Sequence, residues 1–419
     1  MADTSKDDIG AFTGIRGIAS LAVVAIHSQV FFFAIFPGAW PERRFLWTGN
    51  YAVDTFFILS GFVITLNYGD RMRRPNLQMW KTFVLLRIAR MWPVHVATIL
   101  MYAVWFKTID IHPKPYFPNM LVVPHEAAMG VLFAPWNVIM NVLMLNQVWP
   151  ASSISTPAWS VSLEFLAYLI FPLIAFVVMK FRTPLVAFIG AGVVLLAGAY
   201  VLGVTSSDNF NYIGYQLPFI RIIYAFPAGC LLCVGWRQLS PRWKNGWGWD
   251  AAVIGSIAAL FTIVAFIPQT TIIYMPAPAI PLLGVIILGC AGATGPVKWF
   301  LTRRPLQWLG HISYSLYQTH FIALMACELF LFTPFLLVGP PAVKLWVAVG
   351  MLASVIGLAW LSYTFIEEPF RKRARKWIFR NAPPKTLPPT EASPADAEAP
   401  AELLPVAPGR HRDVVDASR

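Results

Sequence analysis

Ten apolar stretches recur along the chain, each close to the twenty or so residues that cross the hydrocarbon core of a bilayer. They run roughly over 12–34, 51–68, 84–106, 159–179, 184–204, 218–236, 250–267, 276–295, 311–333 and 343–366. This pattern predicts an all-α polytopic membrane protein with about ten transmembrane helices. An eleventh stretch, 129–148, is apolar enough to cross but carries Pro135, Asn137, Asn141 and Asn146. Such residues weaken a lipid-facing helix, so 129–148 is read as an interfacial or re-entrant helix. It lies in a long loop, 107–158, interrupted by seven prolines. A loop of that length is expected to be functional rather than a plain connector.

Composition agrees with this reading. The 419 residues are 57% hydrophobic and 12% charged, with a mean hydropathy of +0.61. A soluble domain carries about 25% charged residues. The net charge of +12 would suggest nucleic acid in a soluble chain. Here the cations fall between apolar stretches, so they read as topology and no nucleic-acid partner is expected.

With the N-terminus in the cytoplasm, the inside loops hold twenty Lys and Arg residues and the outside loops five. The positive-inside rule therefore predicts both termini in the cytoplasm. If 129–148 crossed, the basic clusters from Lys180 onward would be placed outside.

Residues 1–11 are polar, carry three aspartates and lack a basic signal-peptide start. They are read as a cytoplasmic N-terminus, followed by a membrane domain over 12–370. Residues 371–381 form a basic juxtamembrane segment expected to rest on anionic lipid headgroups. The Pro-, Ala- and Glu-rich tail, 382–419, is expected to be disordered and cytoplasmic. Cys230, Cys233, Cys290 and Cys327 all fall in apolar stretches, so no disulfide framework is expected. Cys230 and Cys233 have a metal-type spacing but no second pair or histidine nearby in sequence, and no metal is expected.

Ionisable residues within this apolar background carry the candidate chemistry, because charges in spanning helices rarely face lipid. Arg16 and His27 are eleven residues apart, close to three helical turns, and so share one face about 16 Å apart along the axis. Arg16 near a helix end can also snorkel to the headgroups, and His27 alone can be a hydrogen-bonded interior histidine.

Asp54 opens the second stretch, where a carboxylate suits the helix dipole. An antiparallel neighbour also brings it within about a turn of His27 in depth. A carboxylate on one imidazole nitrogen fixes the tautomer and leaves the other to act as general base. Arg87 and Arg90 share a helix face where the third stretch begins. Guanidinium pairs there suit phosphate oxygens, although ordinary positive-inside flanking also explains them. Glu164 follows Trp159 and Ser160, Arg221 sits near the outer end of its span, and His320 follows Ser313, Tyr314 and Tyr317. Five ionisable residues in or at the ends of five helices are hard to explain as packing.

Four stretches of the sequence resemble the integral-membrane acyltransferase-3 family, whose members O-acylate exported glycans, lipids and antibiotics. Gly14 to Ala19 through His27 is similar to its opening L-R-G-x-A with R-x(10)-H. Val53 to Phe62 resembles V-D-x-F-F-x-L-S-G-F. Trp159 to Glu164 resembles W-S-L-S-x-E, and Ser313 to His320 resembles S-Y-x-L-Y-x-x-H. Arg87 and Arg90 resemble the family's R-x-x-R, and Tyr363 to Pro369 its closing Y-x-x-I-E-x-P. The sequence departs from the family at Phe165 and Leu166, where a second acidic residue and a glutamine are common. It departs again at Gln318 and Thr319, where Leu-Trp is common.

The resemblance implies an acyl-CoA donor, most often acetyl-CoA, met from the cytoplasm of a bacterium at its inner membrane. It implies a carbohydrate or lipid-linked acceptor. Arg87, Arg90 and Arg16 are then expected to hold the CoA phosphates. His27, oriented by Asp54, is expected to deprotonate the acceptor or carry the acyl group. Glu164, Arg221 and His320 are expected to line the acceptor end, with Tyr317 and Trp159 contacting the acceptor. Many relatives carry a C-terminal hydrolase-like domain that this sequence does not show, so the acceptor is expected to meet the membrane domain alone. A transporter with a proton relay explains intramembrane charges equally well, but no paired halves are evident. A membrane scaffold explains neither the Arg16–His27 stripe nor Asp54.

Overall fold

The computed structural model describes residues 4–29, 31–32, 43–108, 130–148, 151–207, 216–266, 277–329 and 340–381. They belong to one compact unit. A helix lies over each of the ten apolar stretches. These are α1 (Thr4–His27), α2 (Tyr51–Met72) and α3 (Leu77–Thr108), then, after the short helix α4 (Pro135–Val142), α5 (Ala158–Val178). Next come α6 (Pro184–Ser207), α7 (Gln216–Gln238), α8 (Trp247–Phe266) and α9 (Ile280–Gly292). After a short α10 (Pro296–Leu301) follow α11 (Arg304–Cys327) and α12 (Pro341–Ser362). A π-helical turn, Tyr363–Glu367, joins α12 to the basic helix α13 (Glu368–Asn381).

Eight helices among the described residues are long and apolar enough to cross a membrane. The chain is accordingly a multi-pass membrane protein. With 13 residues, α9 is short for a span. Helix α11 has the length, but Gln318, Thr319 and His320 at its centre lower its hydropathy.

Several helix ends differ from expectation. The third helix begins at Leu77 rather than near 84, so Arg87 and Arg90 lie well inside it and not at its N-terminus. The first helix ends at His27 rather than continuing to 34, so His27 occupies its last turn. The ninth apolar stretch begins its helix at Arg304, well before 311.

The stretch 129–148 holds no spanning helix among its described residues. Helix α4 has eight residues, and its asparagines bind the chain as it folds back. Asn141 Nδ2 donates to Asn137 O at 2.9 Å and Ser152 O at 2.8 Å, while its Oδ1 accepts from Ile154 N at 3.0 Å. Asn137 Oδ1 accepts from Ser152 N at 2.8 Å. Beyond α4, Met144 turns the chain with φ 58°, a left-handed conformation uncommon away from glycine. The asparagines that weakened a lipid-facing reading thus hold a compact return. The rest of the long loop, 109–129, and the tail from 382 lie outside the described residues.

Two glycine crossings set the bundle. Helices α2 and α7 meet at Gly61 and Gly229. A Cβ at Gly61 would lie 2.1 Å from the Phe226 carbonyl oxygen, and one at Gly229 1.9 Å from that of Ile58. Helices α1 and α11 meet at Gly17 and Gly310, where a Cβ at Gly310 would lie 2.0 Å from Thr13 O. Small residues at helix contacts let backbones approach where lipid provides no hydrophobic drive for association. These two crossings bring the residues of α1, α2, α7 and α11 into one interior. Helix α13, the expected basic juxtamembrane segment, packs Ile378 on Leu86 and Ala89 of α3.

Candidate active site

Two adjoining cavities occupy that interior. The first is lined by Arg16 of α1, Arg87 and Arg90 of α3, and Glu164 and Tyr168 of α5, with Ser60 of α2. The second is lined by His27 of α1, His320 of α11, Arg221 of α7, Trp159 of α5 and Asn50. Val53 and Tyr317 line both, so the two spaces meet there.

In the first cavity Glu164 Oε1 accepts from Ser60 Oγ at 2.7 Å and from the hydroxyl of Tyr168. Arg87 is buried, donates to Tyr68 Oη at 3.3 Å, and sits 5.4 Å and 5.6 Å from the Tyr68 and Phe83 ring centres. Spacing of three brings Arg90 to the same cavity as Arg87. Arg16 joins them from α1, and Glu164 lines the same space. The cavity therefore gathers three guanidinium groups, a charge pattern suited to phosphate or a developing oxyanion.

The second cavity is built around two imidazoles. His27 Nδ1 lies 2.9 Å from Val23 O and 3.2 Å from His320 Nε2. His320 Nδ1 lies 2.6 Å from Tyr317 O. A carbonyl oxygen only accepts, so both Nδ1 atoms carry protons. The one His27 Nδ1–H is then shared between Val23 O, the nearer acceptor, and His320 Nε2, and His27 Nε2 is left with a lone pair. His27 is exposed to the cavity while His320 is fully buried. The rings lie 5.1 Å apart, and Phe321 packs edge-on to His27 at 5.5 Å.

Asp54 does not touch His27, contrary to the expectation that it orients that ring. It is fully buried against α7 instead. Arg221 Nε and Nη2 donate to Asp54 Oδ1 and Oδ2 at 3.2 Å and 2.7 Å. The Tyr224 hydroxyl donates to Oδ1 at 2.5 Å. The reason lies in the α2–α7 glycine crossing, which brings Arg221 and Tyr224 against the start of α2. Arg221 also donates to Asn50 O at 2.6 Å and lies 5.3 Å from the Trp159 ring. Asp54 thus fixes Arg221, and Arg221 faces the cavity.

Glu164 is likewise found elsewhere than expected. It faces the arginines and not His320. The ridge between the cavities holds Tyr317, whose hydroxyl is 2.6 Å from Ser160 Oγ. Arg16, Arg87, Arg90 and Glu164 are therefore brought together, as are His27, His320, Arg221, Trp159 and Tyr317.

Three further polar residues carry no role in the sequence reading. Tyr168 lies one turn after Glu164 and shares its carboxylate with Ser60. Glu367, buried at the π-helical turn, accepts from Ser315 Oγ at 2.6 Å. Its signal was a carboxylate within the quoted Tyr363 to Pro369 stretch, where π-bulges favour functional sites. His95, fully buried in α3, lies 2.7 Å from Asn141 O and 3.2 Å from Gln318 Nε2. It ties the α4 return to α11. All four cysteines are buried and free of disulfides.

A model of the acyltransferase domain matches residues 9–364. The peptidoglycan O-acetyltransferase OatA of Listeria monocytogenes is 26% identical over 88% of this chain and 56% of its own length. The acyltransferase MdmB of Streptomyces mycarofaciens is 27% identical over 93% of this chain and 96% of its own. The O-acetyltransferase OatA of Staphylococcus aureus is 24% identical over 87% of this chain and 57% of its own. The chain thus spans little more than half the length of the two OatA proteins. No solved structure matches it. The matched stretch contains every residue that lines the two cavities, and the chain belongs to the acyltransferase-3 family of acyltransferases.

Proposed function

We propose that this protein transfers an acyl group, acetyl in the simplest case, from acyl-CoA to a hydroxyl of a carbohydrate or lipid-linked acceptor. One observation carries the reading. A cavity with three arginines adjoins a cavity with a paired imidazole, and Tyr317 and Val53 line both. Donor and acceptor can therefore meet at their boundary.

In this reading the cations of Arg87, Arg90 and Arg16 hold the anionic donor, which approaches from the cytoplasm. The positive-inside bias of the loops supports that direction. His27 Nε2 removes the acceptor hydroxyl proton, and the oxygen attacks the thioester carbonyl. The C–O bond forms as the C–S bond breaks, and the CoA thiolate leaves and regains a proton. Val23 O and His320 Nε2 together hold His27 in the tautomer that presents Nε2. Arg221, fixed by Asp54 and backed by Trp159, orients the acceptor.

The relatives named as O-acetyltransferases support acetyl as the group and oxygen as the receiving atom. The peptidoglycan named for the Listeria relative supports a glycan hydroxyl as acceptor. The test is release of free CoA thiol by protein in lipid nanodiscs given acetyl-CoA with a peptidoglycan fragment or a lipid-linked glycan. Acceptor-dependent thiol release with an O-acetylated product is expected. Turnover with neither of these, alongside transport of one of them, would replace this reading with a transporter.

A further inference from the structure

A larger concavity, about 470 Å³, opens between α1, α2, α8 and α9, with α10 at one end. Ile15, Ile18, Ala19 and Ala22 form its α1 wall. Thr48, Tyr51, Ala52 and Thr55 form the wall along the start of α2. Both sets have the spacing of one helix face. The neighbouring positions Arg16, Val23 and His27 line the reaction cavities instead. The groove is thus separated from the reacting groups by the thickness of α1 and α2, and no donor or acceptor atom needs to enter it.

Its chemistry is almost wholly hydrocarbon. From α8, Ile254, Ile257 and Phe261 line it while remaining exposed. The helices α1, α2 and α8 that frame it are candidate spans, and only 28% of the apolar window of α8 is buried in the protein. The open side of the groove therefore faces lipid tails. The α1 wall runs over eight residues, from Ile15 to Ala22, about 10 Å along the axis, which suits a single chain lying lengthwise.

The α10 end has a different character. Phe300 lines the groove, Trp299 beside it is exposed, and the Arg303 guanidinium lies 3.5 Å from the Trp299 ring centre. Arg303 and Arg304 are exposed. Tryptophan beside arginine marks the depth of the headgroups, where cations meet lipid phosphate.

We propose that this groove is a phospholipid site. One acyl chain lies along α1 and α2 against α8, and the phosphate sits at Arg303 and Arg304. A lipid held there buttresses the two helices that carry Arg16, His27 and Asp54. The site does not depend on the acyl-transfer reading.

The test uses the full chain in nanodiscs containing phosphatidylglycerol with a photoactivatable diazirine in one acyl chain. Crosslinks are mapped by mass spectrometry. Enrichment on 253–261 and 15–22 is expected over the exposed apolar face of α6 that carries Leu185, Ile189, Val193 and Leu196. Ile257→Trp fills the groove and should lower crosslinking there about tenfold, the effect of displacing two buried methylenes. Crosslinking on α6 should not change. Ile254→Trp serves in the same way if Ile257→Trp fails to fold. Arg303→Glu with Arg304→Glu should also reduce groove crosslinking. Groove crosslinking no greater than on α6, or unaffected by either tryptophan, overturns the site. Loss with tryptophan but not with the glutamates overturns the phosphate contact.

Discussion

His27 Nδ1 and His320 Nε2 lie 3.2 Å apart, joining the last turn of α1 to the middle of α11. The backbone carbonyls of Val23 and Tyr317 fix a proton on each Nδ1, so the pair leaves His27 Nε2 as the available base. In this arrangement a second imidazole takes the place that a carboxylate occupies in a Ser-His-Asp triad. Replacing His320 by Ala should slow transfer while leaving donor affinity unchanged, because His320 acts through His27. Steady-state kinetics with varied acetyl-CoA check this. An unchanged turnover number would remove His320 from the mechanism.

Asp54, fully buried, and Arg221, partly buried at the cavity wall, form a bidentate pair. Removing one partner of such a pair leaves an uncompensated charge and costs about 3–5 kcal/mol. Asp54→Ala should therefore lower thermal stability strongly, and Arg221→Met on that background should restore part of it. A double-mutant cycle by thermal unfolding in detergent measures the coupling. Additive effects of the two changes would mean that the pair carries no coupling energy.

Arg87 and Arg90 should contribute to donor binding and not to acceptor binding. Loss of one charge-assisted phosphate contact costs about 1.5–3 kcal/mol. Titration of Arg87→Ala and Arg90→Ala with acetyl-CoA and with its dephospho analogue checks the size and the origin of the loss. Wild-type affinity in both variants would leave the arginines a topological role only.

Much of the site was legible because its residues are ionisable in an apolar background. Arg16, His27, Glu164, Arg221 and His320 stood out for that reason alone. Their partners did not. Asp54 was matched to His27 by depth along the helix, but depth does not fix which neighbour a helix face meets. The approach of Gly61 to Phe226 and Gly229 to Ile58 decides that, and it turns Asp54 toward Arg221. Glu164 went to the arginine cavity because it bonds Ser60 and Tyr168, a tyrosine that reads as ordinary aromatic packing. The ten helices were legible from hydrophobic runs. The sequence reads 129–148 as an interfacial or re-entrant helix, but the Asn141 and Asn137 bonds to Ser152 and Ile154 that make the return appear only when the chain folds back.

The glycine crossing itself makes a further prediction. A methyl group at Gly61 collides with a backbone carbonyl, which cannot rotate away. Overpacking of this kind costs about 1–3 kcal/mol or more. Gly61→Ala should lower the unfolding temperature and weaken the Asp54–Arg221 contact together. An unshifted melting curve would mean that α2 and α7 are less closely apposed.

The orientation needed for a cytoplasmic donor is open to a labelling experiment in a background without Cys230, Cys233, Cys290 and Cys327. Ser240→Cys and Lys376→Cys should resist a membrane-impermeant thiol reagent in intact cells. Glu42→Cys and Pro115→Cys should react. Reaction at 376 but not at 115 would reverse the orientation and reassign the two cavities.

In the proposed mechanism His27 Nε2 is the base for acyl transfer. Its most direct test compares wild type and His27→Ala in the same nanodisc preparation, following release of CoA thiol and acylated acceptor, with folding checked by thermal unfolding. Removal of a general base reduces the rate about 10²–10⁴-fold, and His27→Ala should lose at least that much with donor binding retained. Wild-type turnover by well-folded His27→Ala would contradict it.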